Sequence, residues 1–228
     1  MPYLEDLTIF GGEPFSCPTS KRIIFGEELK MYPQIHLSTI TNGTLLHERN
    51  QEKLMELRLG CFNFSLDSIK EETYLNIRRG ANFSRVMTNF KKFVKHAQTG
   101  KLNIRRIEAS CTIQETNYME IPQFVEFAHS LGVESVFSLV NKSKELLGLT
   151  NDLKRSINKG IDMAQRLGCN AAVNELIRVL DELPSYKKRE SKELVLDPIR
   201  RIFGRKRVTY FFARHTVLKQ VIRRMFRI

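Results

Sequence analysis

Apolar positions fall into two kinds of run that alternate along the first 140 residues. Short runs with turn or cap residues at both ends predict strands at Leu4 to Phe10, Ile35 to Ile40, Phe62 to Leu66, Ile104 to Ile113 and Ser135 to Val140. Between them, three- and four-residue spacing predicts helices near Lys21 to Met31, His47 to Leu59, Phe83 to Gln98 and Pro122 to Leu131. The third helix shows the pattern best, with Phe83, Val86, Met87, Phe90, Phe93, Val94 and Ala97 on one stripe. Gly100 and Gly132 are placed to end two of these helices. Repeated strand–helix units with short connections make right-handed crossovers and a parallel sheet, open or curled into a barrel.

After Val140 the strand pattern stops. Leu149 to Leu167 and Ala171 to Leu183 read as amphipathic helices joined by Gly168-Cys169-Asn170, and the polar run from Pro184 reads as a linker. This divides the chain into an α/β unit (1–140), a helical extension (141–183), a linker (184–197) and a tail (198–228).

Three strands finish in small or polar residues. The first runs into Gly11-Gly12-Glu13-Pro14, the second into Thr41-Asn42-Gly43-Thr44, and the third into Asp67 just past Ser65. Parallel strands put such ends side by side at the carboxyl edge of the sheet, where folds of this class bind ligands. Each residue also has a plainer role open to it. The glycines permit a tight turn, Ser65 can bond a neighbouring strand, Asp67 can cap the next helix, and Arg78 can face solvent.

Composition sets limits on this picture. With 228 residues and 42% hydrophobic content the chain can bury a core, and no run has the length and apolarity of a membrane span. Cys17, Cys61, Cys111 and Cys169 stand far apart in sequence, and His36, His47, His96, His129 and His215 are equally scattered. Short-range metal-ligand spacing is therefore absent, and isolated buried thiols are expected.

The net charge of +12 is concentrated at one end. Residues 198–228 hold ten Arg or Lys and no acidic residue, leaving 27 basic and 25 acidic side chains for the rest. Val217, Leu218, Val221, Ile222 and Met225 share one helical face there, with Arg214, Lys219, Arg223, Arg224 and Arg227 largely off it. Such a helix suits an anionic membrane surface, a partner or the body of the protein. The lack of aromatic–basic interleaving speaks against nucleic acid. The expected location is the cytoplasm, with a peripheral membrane contact through the tail.

Taken in order, Ile-Phe-Gly-Gly-Glu-Pro-Phe, Thr-Asn-Gly-Thr-Leu-Leu, Phe-Ser-Leu-Asp-Ser, Arg78-Arg79-Gly80 and Gln114-Glu115-Thr116-Asn117 resemble the radical S-adenosylmethionine enzymes, most of all the branch that often carries a SPASM domain. The resemblance spans roughly residues 4 to 140. It implies a partial (β/α)6 TIM-like barrel, S-adenosylmethionine as cofactor and a 4Fe-4S cluster. It further implies reductive cleavage of the cofactor to a 5′-deoxyadenosyl radical that abstracts hydrogen from a substrate the sequence does not name. By position, Gly11, Gly12 and Glu13 would receive the methionine ammonium. Ser65 and Asp67 would contact ribose or carboxylate, and Arg78 would pair with the carboxylate. No catalytic side chain is assigned.

The chain departs from the family where the cluster should be, because the family's CxxxCxxC loop occurs nowhere in it. Only ten residues precede Gly11, so the first β-α unit is expected to be missing, through a fragment, a misassigned start at Met1 or a natural truncation. Cys169 alone, after Val140, does not make an auxiliary-cluster module. Two other functions remain open on this reading, a cofactor-binding or regulatory module without a cluster and a membrane-surface protein acting through its tail.

Overall fold

The computed structural model describes residues 3–140, 146, 148–186 and 208–211. Strands β1 (Asp6–Phe10), β2 (His36–Thr41), β3 (Arg58–Ser65), β4 (Asn103–Ile113) and β5 (Glu134–Leu139) form a parallel sheet in that order. A sixth strand, β6 (Val208–Phe211), lies beyond β1. The connections carry α1 (Pro18–Phe25), α2 (Glu27–Lys30), α3 (Glu48–Leu54), α4 (Glu71–Ile77), α5 (Phe83–Gln98) and α6 (Ile121–Ser130), and α7 (Thr150–Arg166) and α8 (Asn170–Tyr186) follow β5.

The core lies between the sheet and the helices. Phe62 stacks on Phe93 at 5.1 Å between ring centres, Phe64 meets Phe90 at 4.8 Å, and Phe124 meets Phe137 edge-on at 5.7 Å. All six rings are buried, so the stripe on α5 does what its spacing predicts and anchors the middle of the sheet. Asn82 caps α5 by accepting from the Arg85 amide at 2.8 Å. Further on, α7 packs on α6 and α8, while α8 also reaches β5. There Arg178 Nη2 donates to the Phe137 carbonyl at 2.6 Å.

Several sequence expectations need correction. The helix predicted over Lys21 to Met31 is two helices, because Gly26 takes an extended conformation (φ −77°, ψ 161°) between them. The helix predicted over His47 to Leu59 ends at Leu54, and β3 begins at Arg58, since Arg58 to Cys61 pair with β4 although their apolar pattern is irregular. The short helix α4 has no apolar stripe to reveal it; only Tyr74 is buried. At the other end α8 runs through Pro184 to Tyr186, because a proline near a helix end removes a single backbone bond.

The expectation that strands stop after Val140 is wrong. β6 pairs in parallel with β1, Leu7 with Val208 through Phe10 with Phe211, on the side where the missing family strand was expected. The basic helix expected after Ala213 lies outside the described residues. No described helix is long and apolar enough to cross a membrane.

Candidate functional site

The parallel sheet places the ends of β1, β2 and β3 at one edge, and the turn leaving β1 is the most tightly organised of the three. Gly11 and Gly12 have φ of 102° and 54°, values that strain any side chain, so this reversal needs its two glycines. Glu13 then locks it. One carboxylate oxygen accepts from the Thr41 hydroxyl (2.8 Å) and the Phe15 amide (3.1 Å), and the other from the Asn42 amide (2.8 Å). The Glu13 carbonyl accepts from the amides of Ser16 (3.0 Å) and Cys17 (3.3 Å).

This geometry changes the role expected for Glu13. Its carboxylate is turned onto β2 and its carbonyl into the turn, which leaves the Gly11 and Gly12 carbonyls without partners among the described residues. The second turn is also held from behind. Asn89 on α5 donates to the Gly43 (2.9 Å) and Thr44 (3.2 Å) carbonyls, and Gln51 on α3 donates to the Leu46 (2.6 Å) and Asn89 (2.9 Å) carbonyls. Gly43, at φ 75°, sits against Phe64 and Val86, so a side chain there meets both strain and a tight contact.

At the third strand, Ser65 is half-buried and its hydroxyl has no partner among the described residues. Asp67 caps no helix; the residue at the start of α4 is Lys70. Instead one Asp67 carboxylate oxygen accepts from the Thr112 amide (2.9 Å), and the other takes Arg78 Nη2 (2.7 Å). Asp67 is 5% exposed, so it anchors Arg78 more directly than it meets solvent. Beside this pair the Tyr74 hydroxyl is buried without a partner among the described residues. Burial raises its pKa, Arg78 opposes the shift, and Asp67 adds to it.

The six residues singled out by sequence thus gather at one edge, with Gly11, Gly12 and Glu13 after β1, Ser65 as the last residue of β3, Asp67 just past it, and Arg78, which follows α4, joined to Asp67. Sequence reasoning missed Thr41 as the partner of Glu13, and Asn89, Gln51 and Asn117 as supports. A buried polar residue within an apolar helical stripe, as at Asn89, was the available signal.

The donor set fits S-adenosylmethionine. Two free carbonyls suit an ammonium, a guanidinium suits a carboxylate, and a free hydroxyl suits either a carboxylate or a ribose. It does not fit a cluster. Cys61 lies in β3, and its pKa is pushed up to about 12 by burial, with Glu108 adding to the shift. Cys111 in β4 is also raised by burial, then by Asp67. Cys169, between α7 and α8, is also raised by burial. Only Cys17, before α1, is lowered. Burial raises it, but hydrogen bonds from Ser20 and Thr19 and the Lys21 charge outweigh that. Among the described residues no three metal-ligating side chains come together.

Residues 1–104 match the family model described as the Radical SAM superfamily. A probable GTP 3',8-cyclase of Methanocaldococcus jannaschii is 26% identical over 166 residues, covering 69% of this chain and 53% of that protein. The GTP 3',8-cyclase of Rhizobium etli is 33% identical over 98 residues, covering 43% and 26%. The crystal structure of Streptococcus suis SuiB bound to S-adenosylmethionine superposes with a TM-score of 0.51 at 18% identity, over 71% of this chain and 37% of that one, a likeness of fold. The chain spans about half the length of the first of these relatives. Over residues 1–104, the chain is similar to the radical SAM superfamily, a family that works with S-adenosylmethionine and a 4Fe-4S cluster.

Proposed function

We propose that this chain binds S-adenosylmethionine along the carboxyl edge of β1, β2 and β3, as the cofactor-holding part of a radical S-adenosylmethionine enzyme. The observation that carries the reading is the Glu13 clamp. By engaging Thr41, Asn42 and Phe15, it holds the Gly-Gly turn with two carbonyls that have no partner among the described residues. Those carbonyls receive the methionine ammonium, Arg78 pairs with the carboxylate, and Ser65 donates to the carboxylate or ribose. When bound and given an electron, the cofactor supplies hydrogen-atom abstraction. The chain's own part is to bind and orient it.

The names of the relatives bear on substrate and branch. Because they are GTP 3',8-cyclases, GTP is the first substrate to offer, and the cyclase branch is a better placement for this chain than the SPASM branch. Separately, the scattered cysteines favour a second reading, a module that binds the cofactor without a cluster.

Equilibrium dialysis of the purified chain with labelled S-adenosylmethionine tests the first point. Saturable, stoichiometric binding is expected, and its absence refutes the proposal. Anaerobic treatment with iron and sulfide then separates the two readings. No 4Fe-4S absorption is expected from this chain alone, and a cluster that disappears on Cys17→Ala would show that its thiols can be gathered after all.

A further inference from the structure

Asp67 is the only non-glycine residue with positive φ (60°) among those described, and it is the residue that holds Arg78. A conformation that L side chains rarely adopt persists only when its surroundings over-determine it. The Asp67 amide donates to the Ser110 carbonyl at 3.0 Å, and its carboxylate is fixed by Thr112 and Arg78. That leaves its carbonyl, which a left-handed turn points away from the strand. The carbonyl accepts from Asn117 Nδ2 at 2.8 Å and more weakly from the Cys111 thiol at 3.3 Å.

Asn117 is almost wholly buried in the loop between β4 and α6. Its Nδ2 reaches a second carbonyl, that of Thr112, at 2.9 Å, and touches Cys111 Sγ at 3.5 Å. Its Oδ1 accepts from the Gln114 amide at 2.8 Å. Both amide hydrogens therefore go to carbonyls, one at the exit of β3 and one at the exit of β4. The opposite orientation of the amide would set oxygen against two oxygens. No other residue type offers two geminal donors and an acceptor on so short a stem.

We infer that Asn117 is a positioning residue for the amino-acid end of the cofactor: by pinning the Asp67 carbonyl it keeps Asp67 left-handed, and Asp67 in turn aims Arg78 at the ligand carboxylate. The inference rests on the S-adenosylmethionine reading above and adds to it a residue that never touches the ligand. Without the pin, the Asp67 backbone relaxes toward an ordinary conformation, its carboxylate leaves Thr112, and Arg78 loses its anchor. The adenosine end, which does not depend on Arg78, is unaffected.

The test uses two ligands that share adenosine and a thioether, S-adenosylhomocysteine and 5′-methylthioadenosine, of which the second lacks the amino-acid end. Affinities of both are measured for the full chain and for Asn117→Ala and Asn117→Asp, the latter retaining size and the acceptor for Gln114. The preference for S-adenosylhomocysteine should fall roughly tenfold in both variants, the size of one charge-assisted hydrogen bond. Partial unfolding lowers both apparent affinities by the same factor, so the ratio reports the folded molecules alone. An unchanged ratio overturns the role of Asn117 and leaves the cofactor reading standing. A wild-type chain that binds neither ligand overturns both.

Discussion

At the carboxyl end of the sheet, Glu13, Asp67 and Asn117 direct their polar atoms onto backbone amides and carbonyls of neighbouring strands, within a buried or half-buried layer. The amino end is built differently. Lys30 there reaches Glu27 (2.9 Å) and Glu56 (2.7 Å) across exposed surface, above a cavity of about 220 Å³ lined by Leu29, Ile35, Met55, Arg58 and Asn103. This cavity is thus at the end without the candidate chemistry. Cavity volume is a poor guide here, because a ligand-binding rim is recognised by unpartnered donors and acceptors on a fixed frame. Salt-screened contacts between mobile side chains cannot provide such a frame.

The largest expected effect follows from removing the clamp. Glu13→Ala leaves the Phe15 and Asn42 amides and the Thr41 hydroxyl without their acceptor. A loss of about 2 to 3 kcal/mol in urea denaturation is expected, together with loss of S-adenosylmethionine binding. At the other end Lys30→Ala should leave the urea midpoint unchanged, since both its pairs lie in solvent. Equal effects from the two substitutions would remove the distinction between the ends.

A smaller effect is expected at the second turn. Gly43→Ala combines a φ of 75° with a Cβ placed 3.3 Å from Phe64 and 3.4 Å from Val86. Destabilisation of about 1 to 2 kcal/mol is expected, with cofactor affinity reduced because Asn42 shifts against Glu13. Full stability with full affinity would mean that the turn is not part of the rim's frame.

The smallest effect separates the ends by pH. His96, buried near the end of α5 that leads into the amino end of β4, has its pKa lowered by burial, then by Lys101 and Lys92, against the opposing Glu48 and Glu52. Its folded pKa is below the unfolded value of about 6.5, so the unfolded chain takes up the proton first. The stability it contributes is present above that pH and is lost as pH falls toward the folded pKa. Between pH 7 and 5 the unfolding free energy from urea denaturation should decline, by no more than ~1.4 kcal/mol per pH unit for a single proton. His96→Gln should flatten the slope. An unaltered slope would assign it to other groups.

The legibility of this chain divides along similar lines. Periodic elements were readable because their burial is one-sided. The stripe on α5 gave its bounds correctly, and the ends of β1 and β3 identified the edge where polar residues gather. What could not be read was long-range pairing between polar side chains and backbone, because nothing local in Thr41 or Asn117 distinguishes a buried support from an exposed residue, and Asn89 is marked only by its place in the stripe of α5. β6 was hidden for a related reason. Val208 to Phe211 is a short run in a basic segment, and its strand character comes from the open edge of β1 more than from its own pattern.

That pairing has a consequence for the order in which the chain folds. β1 and β6 are hydrogen-bonded neighbours separated by about 200 residues, a long loop to close for four paired positions. During synthesis β1 leaves the ribosome long before β6 exists, so the edge of β1 that β6 covers stays open until about 200 further residues have been made. Contacts this distant form slowly. Completion of the sheet is therefore expected as the last folding phase, and self-association of incomplete chains should centre on the outer edge of β1.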